Sequence, residues 1–257
     1  MTLPLSLSAI PTDALVIAPC IVLLGYTIFG ATGFGSSIIS VPGLAHFFPL
    51  TFTVPLITTT DAVASMTTAV RYRRLVAWRE ILRLLPPMLI GIAFGMTLLL
   101  KLPRGPALFA LGVFAASYGT YVIAGPRRIA RAPAWLVWPV GLAGGIFSAL
   151  FGTGGPIYVV FLSARIGDKA ALRATTALVV AVAIWTRLVL FVAIGVLLDP
   201  TLVAMVLLLL PVMALGLWLG NRLHHALSHG GVLRLIAGLL VVNGIALIMR
   251  AVEAMRA

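Results

Sequence analysis

Leu202 to Leu210 are nine consecutive apolar residues, so any element they form shows an apolar surface on every face. A half-buried strand alternates and a surface helix keeps a polar stripe, and neither pattern fits this run. Comparable runs fill most of the 257 residues, of which 61% are hydrophobic and only 9% charged. Soluble domains carry about 25% charged residues. Since about 20 apolar residues cross a bilayer as a helix, the chain has room for about eight to ten crossings and almost nothing else. A β-barrel would need short segments of alternating polarity. The expected fold is therefore an all-α membrane protein, a polytopic helical bundle in which residues 1–257 form one integral membrane domain.

Eighteen Lys and Arg against six Asp and Glu give a net charge of +12. In this composition the excess reads as cytosolic loop charge rather than a nucleic-acid footprint, so the expected surroundings are a lipid bilayer and no nucleic acid. Cys20 is the only cysteine, which excludes an internal disulfide and any zinc or iron–sulfur centre built from cysteines. The first basic residue is Arg71, so a cleaved leader with a basic start is not expected and the first helix is read as retained.

Pro, Gly and charge punctuation divides the chain into five segments per half. They run at about 13–34, 36–49, 52–71, 82–100 and 106–124, then 135–152, 155–165, 172–198, 201–221 and 232–250. The halves are read as internal repeats at about 13–124 and 135–250. Gly33 and Gly35 match Gly152 and Gly154; Thr59, Thr60 and Arg71 match Thr175, Thr176 and Arg187; Pro86, Gly91 and Gly95 match Pro211, Gly216 and Gly220. Equivalent connections carry opposite charge. Arg71, Arg73, Arg74, Arg79 and Arg83 follow the third segment, whereas the matching stretch near Asp199 has no basic residue. The connection around Pro49 is uncharged, while its counterpart carries Arg165, Lys169 and Arg173. Under the positive-inside rule such loops lie on opposite sides, which predicts two inverted five-segment repeats with both termini outside. Thirteen of the eighteen Lys and Arg then face the cytosol.

The second segment of each half is short and follows a glycine cluster that a helix does not readily continue through. A broken helix is expected in each half, with the binding site where the breaks meet. Each break offers a helix N-terminus, whose free N–H groups and dipole attract an anion. The candidate substrate contacts are Gly33, Phe34, Gly35 and Ser36 at the first break and Thr153, Gly154 and Gly155 at the second. Thr59, Thr60 and Thr175 add hydroxyls, although Thr in a membrane helix often bonds its own i−4 carbonyl. Arg187 falls midway along its segment, where a charge costs about 2.5–3.5 kcal/mol on insertion scales. It is read as an anion clamp, against a structural alternative of pairing with Asp61 or backbone carbonyls. Asp61 is equally deep and is a candidate proton carrier, unless it is tied up with Arg187.

His224, His225 and His229 lie beside Arg222 in an expected cytosolic loop without a carboxylate, and read as solvated; no metal or cofactor is expected. Trp78, Trp135, Trp138 and Trp218 fall near segment ends, as interfacial aromatics do. Trp185 is deeper and is a candidate for lining the cavity.

Gly33-Phe34-Gly35 leading to Val41-Pro42-Gly43-Leu44, with Gly152-Thr153-Gly154-Gly155-Pro156, Arg173-Ala174-Thr175 and Arg187-Leu188 before Leu210-Pro211 and Gly216, resembles the TauE/SafE membrane permeases over nearly the whole chain. The resemblance implies a secondary carrier of the bacterial cytoplasmic membrane that exports sulfite, organosulfonates or related small anions. The first glycine cluster is less glycine-rich than the family's usual pattern, and Asp61 stands where an uncharged residue is expected. The residues themselves reach "anion carrier"; sulfur comes from the resemblance. The alternatives are an anion channel and a transporter of a small non-sulfur carboxylate. No nucleophile–base constellation points to an enzyme, and the apolar outer faces leave room for a homodimer.

Overall fold

The computed structural model describes residues 12–32, 35–69, 75–125, 132–223 and 229–256. Among them the chain forms ten α-helices and no strand: α1 (Thr12–Thr32), α2 (Ser36–Leu44), α3 (Leu50–Ala69), α4 (Trp78–Lys101), α5 (Arg104–Ala124), α6 (Val137–Phe151), α7 (Gly155–Ser163), α8 (Lys169–Ala193), α9 (Pro200–Leu223) and α10 (His229–Arg256). Short 3₁₀ turns at Ala134–Leu136 and Val196–Leu198 precede α6 and α9. His224 and His225 lie outside the described residues, and His229, expected in a loop, opens α10.

Local chemistry sets these ends. The Asp168 side chain accepts from Ala171 N at 2.7 Å and caps α8. Pro200 begins α9, where a missing N–H costs nothing, and Asp199 Oδ1 accepts from Thr201 N at 2.8 Å. Helix α4 has Glu80 in its first turn and Lys101 in its last, each opposing the local dipole. The second segment stops at Leu44, earlier than the expected 49, because the chain turns over 45–48 before Pro49. His46 in this turn bonds Asn243 of α10 at 2.8 Å, and its carbonyl accepts from Arg250.

Six helical stretches are long and apolar enough to cross a bilayer: α4, α5, 134–151, α8, α9 and α10; α1 adds a shorter apolar helix at Leu15–Ala31. Leu82, Val189, Leu207 and Val242 are each more than 60% exposed on the outer faces, a disposition that suits lipid and not water. At nine residues each, α2 and α7 are only about 13 Å long, less than half of an apolar layer about 30 Å thick. Each instead folds back on the helix before it. Gly25 of α1 faces the first turn of α2 while Ile21 meets Gly43 near its end, and Gly144 of α6 lies against the Tyr158 ring of α7.

Two apolar cores organise the rest. One is built mainly from α1, α2, α3 and α9, the other from α4, α6, α7 and α8. Each takes three consecutive helices from one half of the chain and the fourth helix of the other half. The extensive pairs are α1 with α9, α4 with α6 and α5 with α10. Replacing every helix by the one five places on, cyclically, turns the first pair into the second and the third into itself. Chain sense obeys the same exchange: Gly216 and Gly220 meet Leu23 and Thr27 in step, Gly91 and Gly95 meet Leu142 and Ile146 in step, and Gly112 and Gly119 meet Gly244 and Ala237 in reverse. These glycines bring backbones close enough for a Cβ at Gly95 to lie 2.7 Å from the Ile146 oxygen.

At one end of the molecule, Arg165 Nε donates to Glu80 Oε2 at 2.5 Å and its Nη1 to the Ala132 carbonyl at 2.9 Å. This joins the residues after α7 to the starts of α4 and α6.

Candidate functional site

The two helix breaks meet between the cores. Gly35 (φ 105°) starts α2 and Gly152 (φ 71°) ends α6, both in the left-handed region where a Cβ is penalised. At Gly152 there is also no space: an added Cβ would sit 2.9 Å from Ser37 Cβ and 3.3 Å from Arg187 Nη1. Gly152 is thus the thin wall between the first turn of α2 and the arginine.

Gly35, Ser36, Ser37, Asp61, Gly152, Thr153 and Gly155 line a cavity of about 10 Å³, closed off by apolar side chains such as Phe29 and Ile184. That volume holds about one water molecule. Asp61, only 2% exposed, reaches into it from α3. Ser36 Oγ donates to its Oδ1 at 2.6 Å and Ser37 Oγ to its Oδ2 at 2.6 Å, while the Tyr26 hydroxyl lies 2.7 Å from Oδ1 and 2.6 Å from Thr60 Oγ1. A buried carboxylate needs such donors, since every oxygen taken out of water must be satisfied. Across the cavity, the start of α7 presents Thr153 Oγ1, which is buried and has no hydrogen-bond partner.

Arg187 is 1% exposed and does not pair with Asp61; the ion pairs among the described residues are Glu80 with Arg83 and with Arg165. Its Nη1 donates to the Ser148 carbonyl at 2.6 Å and its Nε weakly to Ala183 O at 3.4 Å. Ser148 belongs to the last turn of α6, and its carbonyl also accepts from Gly152 N at 2.9 Å, so the guanidinium adds a second donor at the negative end of the broken helix. The position of the charge is set by backbone carbonyls, the second structural alternative weighed above.

The other expected contacts separate. Gly33 and Phe34 lie outside the described residues. Thr59 Oγ1 bonds its own i−4 carbonyl, Pro55 O, at 2.9 Å, and Thr60 reaches the cluster only through Tyr26. Thr175 is elsewhere, accepting from Ala77 N at 3.0 Å. Gly154 serves close packing: a Cβ there would meet Ser148 Cβ at 2.8 Å. Trp185 does not line this cavity; it faces outward from α8, 38% exposed, and borders an apolar groove with Val189. The sequence reading missed Ser37, Tyr26, Gly152 and the Ser148 carbonyl. Ser37 adjoins the candidate Ser36 and Gly152 adjoins the candidate Thr153, so the clusters themselves carry a signal. Tyr26 and Ser148 carry none, because only the tertiary placement of Tyr26 beside Thr60 and Asp61 and of Ser148 beside Arg187 gives them a role.

No solved structure matches the chain. Over 188 residues, 73% of this chain and 79% of the other, it is 30% identical to the probable inner membrane transporter protein TsaS of Comamonas testosteroni. The profile of the family described as sulfite exporter TauE/SafE matches residues 17–247. A bundle of apolar helices with two interrupted ones, matched over that span, belongs to the TauE/SafE family of membrane transporters.

Proposed function

We propose that this protein is a secondary carrier, acting as an exporter, of small oxyanions of the sulfite and organosulfonate class across the bacterial cytoplasmic membrane. It works by alternating access between two inverted five-segment repeats. The observation that carries the anion assignment is the junction of the breaks. The starts of two interrupted helices and the unpaired Thr153 hydroxyl converge beside a buried guanidinium. Sulfur as the chemical class, and the cytoplasmic membrane as the place, are supported by the family's description and by the relative's name. The exchange of helix pairs, with chain sense kept, and the opposite charges of matched loops support the inverted repeat.

A cavity of about 10 Å³ is too small for a three-oxygen anion, so this conformation has the site closed. A closed site between two separate cores fits a carrier better than a channel.

Proteoliposomes loaded with unlabelled taurine, sulfite or sulfoacetate test the reading. A carrier accumulates the labelled anion by counterflow and saturates, and Arg187→Met lowers that flux tenfold or more. Flux without counterflow would make the protein a channel. Counterflow of small carboxylates but not of sulfur oxyanions would reassign the substrate, and undiminished counterflow in Arg187→Met would remove the arginine from the site.

A further inference from the structure

The start of α2 is already occupied by an anion belonging to the protein. The two hydroxyls of its first turn, Ser36 and Ser37, each donate at 2.6 Å to a different oxygen of Asp61. The place where an arriving oxyanion would find its donors is filled by the chain's own carboxylate, and the same carboxylate lines the cavity between the breaks. Opposite it, the unpaired and buried Thr153 hydroxyl shows that the cavity has donor capacity that the protein does not use.

Two negative groups cannot share a closed cavity of low dielectric, because neither is screened by water. We propose that Asp61 is a tethered competitor of the transported anion. It must take up a proton from solution before the anion binds, so that one proton enters the site with each anion. Protonation removes the like charge and releases the Ser36 and Ser37 hydroxyls to turn toward the substrate. The proton stays on the Asp61 carboxyl group while the anion is bound and returns to solution when the anion leaves and the carboxylate recaptures the serines.

Few other groups compete for this role. Among the described residues the titratable side chains facing Asp61 are Tyr26 on α1 and, beyond Gly152, Arg187 on α8, whose other basic residues, Lys169 and Arg173, lie in its first two turns. Helices α2 and α6 carry no titratable residue, and those of α4 and α9 lie near the helix ends. Sodium coupling is the competing arrangement, since a carboxylate with hydroxyls also suits a small cation.

The inference rests on reading the site as an anion carrier, and the experiment separates the two. Isethionate, whose sulfonate stays ionised throughout, is titrated by calorimetry into the detergent-purified protein from pH 5.5 to 8.5, with and without Na⁺. Repeating the titration in buffers of different ionisation enthalpy counts protons. Wild-type affinity is expected to fall about tenfold per pH unit in the upper part of the range, with about one proton taken up per anion. Asp61→Asn should bind tightly at every pH and take up no proton. Asp61→Glu, which keeps the titrating group, should retain the pH dependence, and melting curves verify that each variant is folded. Equal, pH-independent binding by wild type and Asp61→Asn would overturn the competitor role and leave the anion site standing. Binding that requires Na⁺ instead of a proton would also overturn it. Failure of wild type and Asp61→Asn alike to bind isethionate would overturn the anion reading as well.

Discussion

At the first break the start of α2 meets a carboxylate, and its hydroxyl donors are spent on Asp61; at the second the start of α7 meets an empty space, and Thr153 donates to nothing. The preceding helix ends are alike in kind, since Arg187 donates to the Ser148 carbonyl of α6 at 2.6 Å and Arg173 to the Ala31 carbonyl of α1 at 3.4 Å. Two glycine clusters that look alike in sequence have therefore become one break whose hydroxyls are hydrogen-bonded and one whose Thr153 hydroxyl has no partner. A helix N-terminus has the same electrostatics wherever it occurs, and what lies opposite decides whether it is occupied or free to bind.

The largest effect expected from testing this contrast is at the glycines themselves. Gly152→Ala combines a left-handed backbone with a Cβ pressed on Ser37 and Arg187, and should destabilise the folded protein by about 2–4 kcal/mol. Gly35→Ala carries the backbone strain alone, about 1 kcal/mol, because its nearest neighbour, Ile38 Cδ1, would stand at an ordinary 3.5 Å. Unfolding of both variants in detergent measures the difference; equal losses would mean that the second break is no tighter than the first.

A smaller effect examines the equivalence of the halves outside the breaks. A Cβ at Gly95 meets the Ile146 oxygen at 2.7 Å, and one at Gly220 meets the backbone of Thr27 and Ala31. Gly95→Ala and Gly220→Ala should each cost about 1–3 kcal/mol, and by similar amounts. A clear inequality in their thermal unfolding would show that the two helix pairs do not carry matched roles.

The smallest change expected is in stability at Thr153. Its hydroxyl has no partner to lose, so Thr153→Val should be neutral or stabilising by about 1 kcal/mol, while sulfonate affinity falls severalfold. A marked drop in melting temperature with affinity intact would place this hydroxyl in the fold rather than in the site.

The apolar runs were enough to identify ten helices, because a helix is the one element that satisfies its own backbone in lipid without a neighbouring strand. The breaks were equally legible, since three glycines within six residues leave a helix little to hold it, and the structure ends α1 at Thr32 and α6 at Phe151. Arg187 and Asp61 stood out as buried charges and are both buried. The sequence did not reveal that they are unpaired with each other. Ion pairing depends on where two side chains end in space, and Arg187 found backbone carbonyls first. Thr59 and Thr175 looked like equivalent hydroxyls, yet one bonds its own helix and the other the chain before α4.

By itself, then, the order of residues determined the solvent, the helices, where two of them stop, and which charges had to be answered. Each of those follows from a local free energy, of apolar transfer, of backbone freedom or of charge desolvation. Only the tertiary structure decided that Asp61 meets the first helix start, that the Thr153 hydroxyl at the second has no partner and that Gly152 lies between Ser37 and Arg187. Those outcomes depend on contacts between segments tens of residues apart, and the packing that fixes such contacts has no signature in any one stretch of chain.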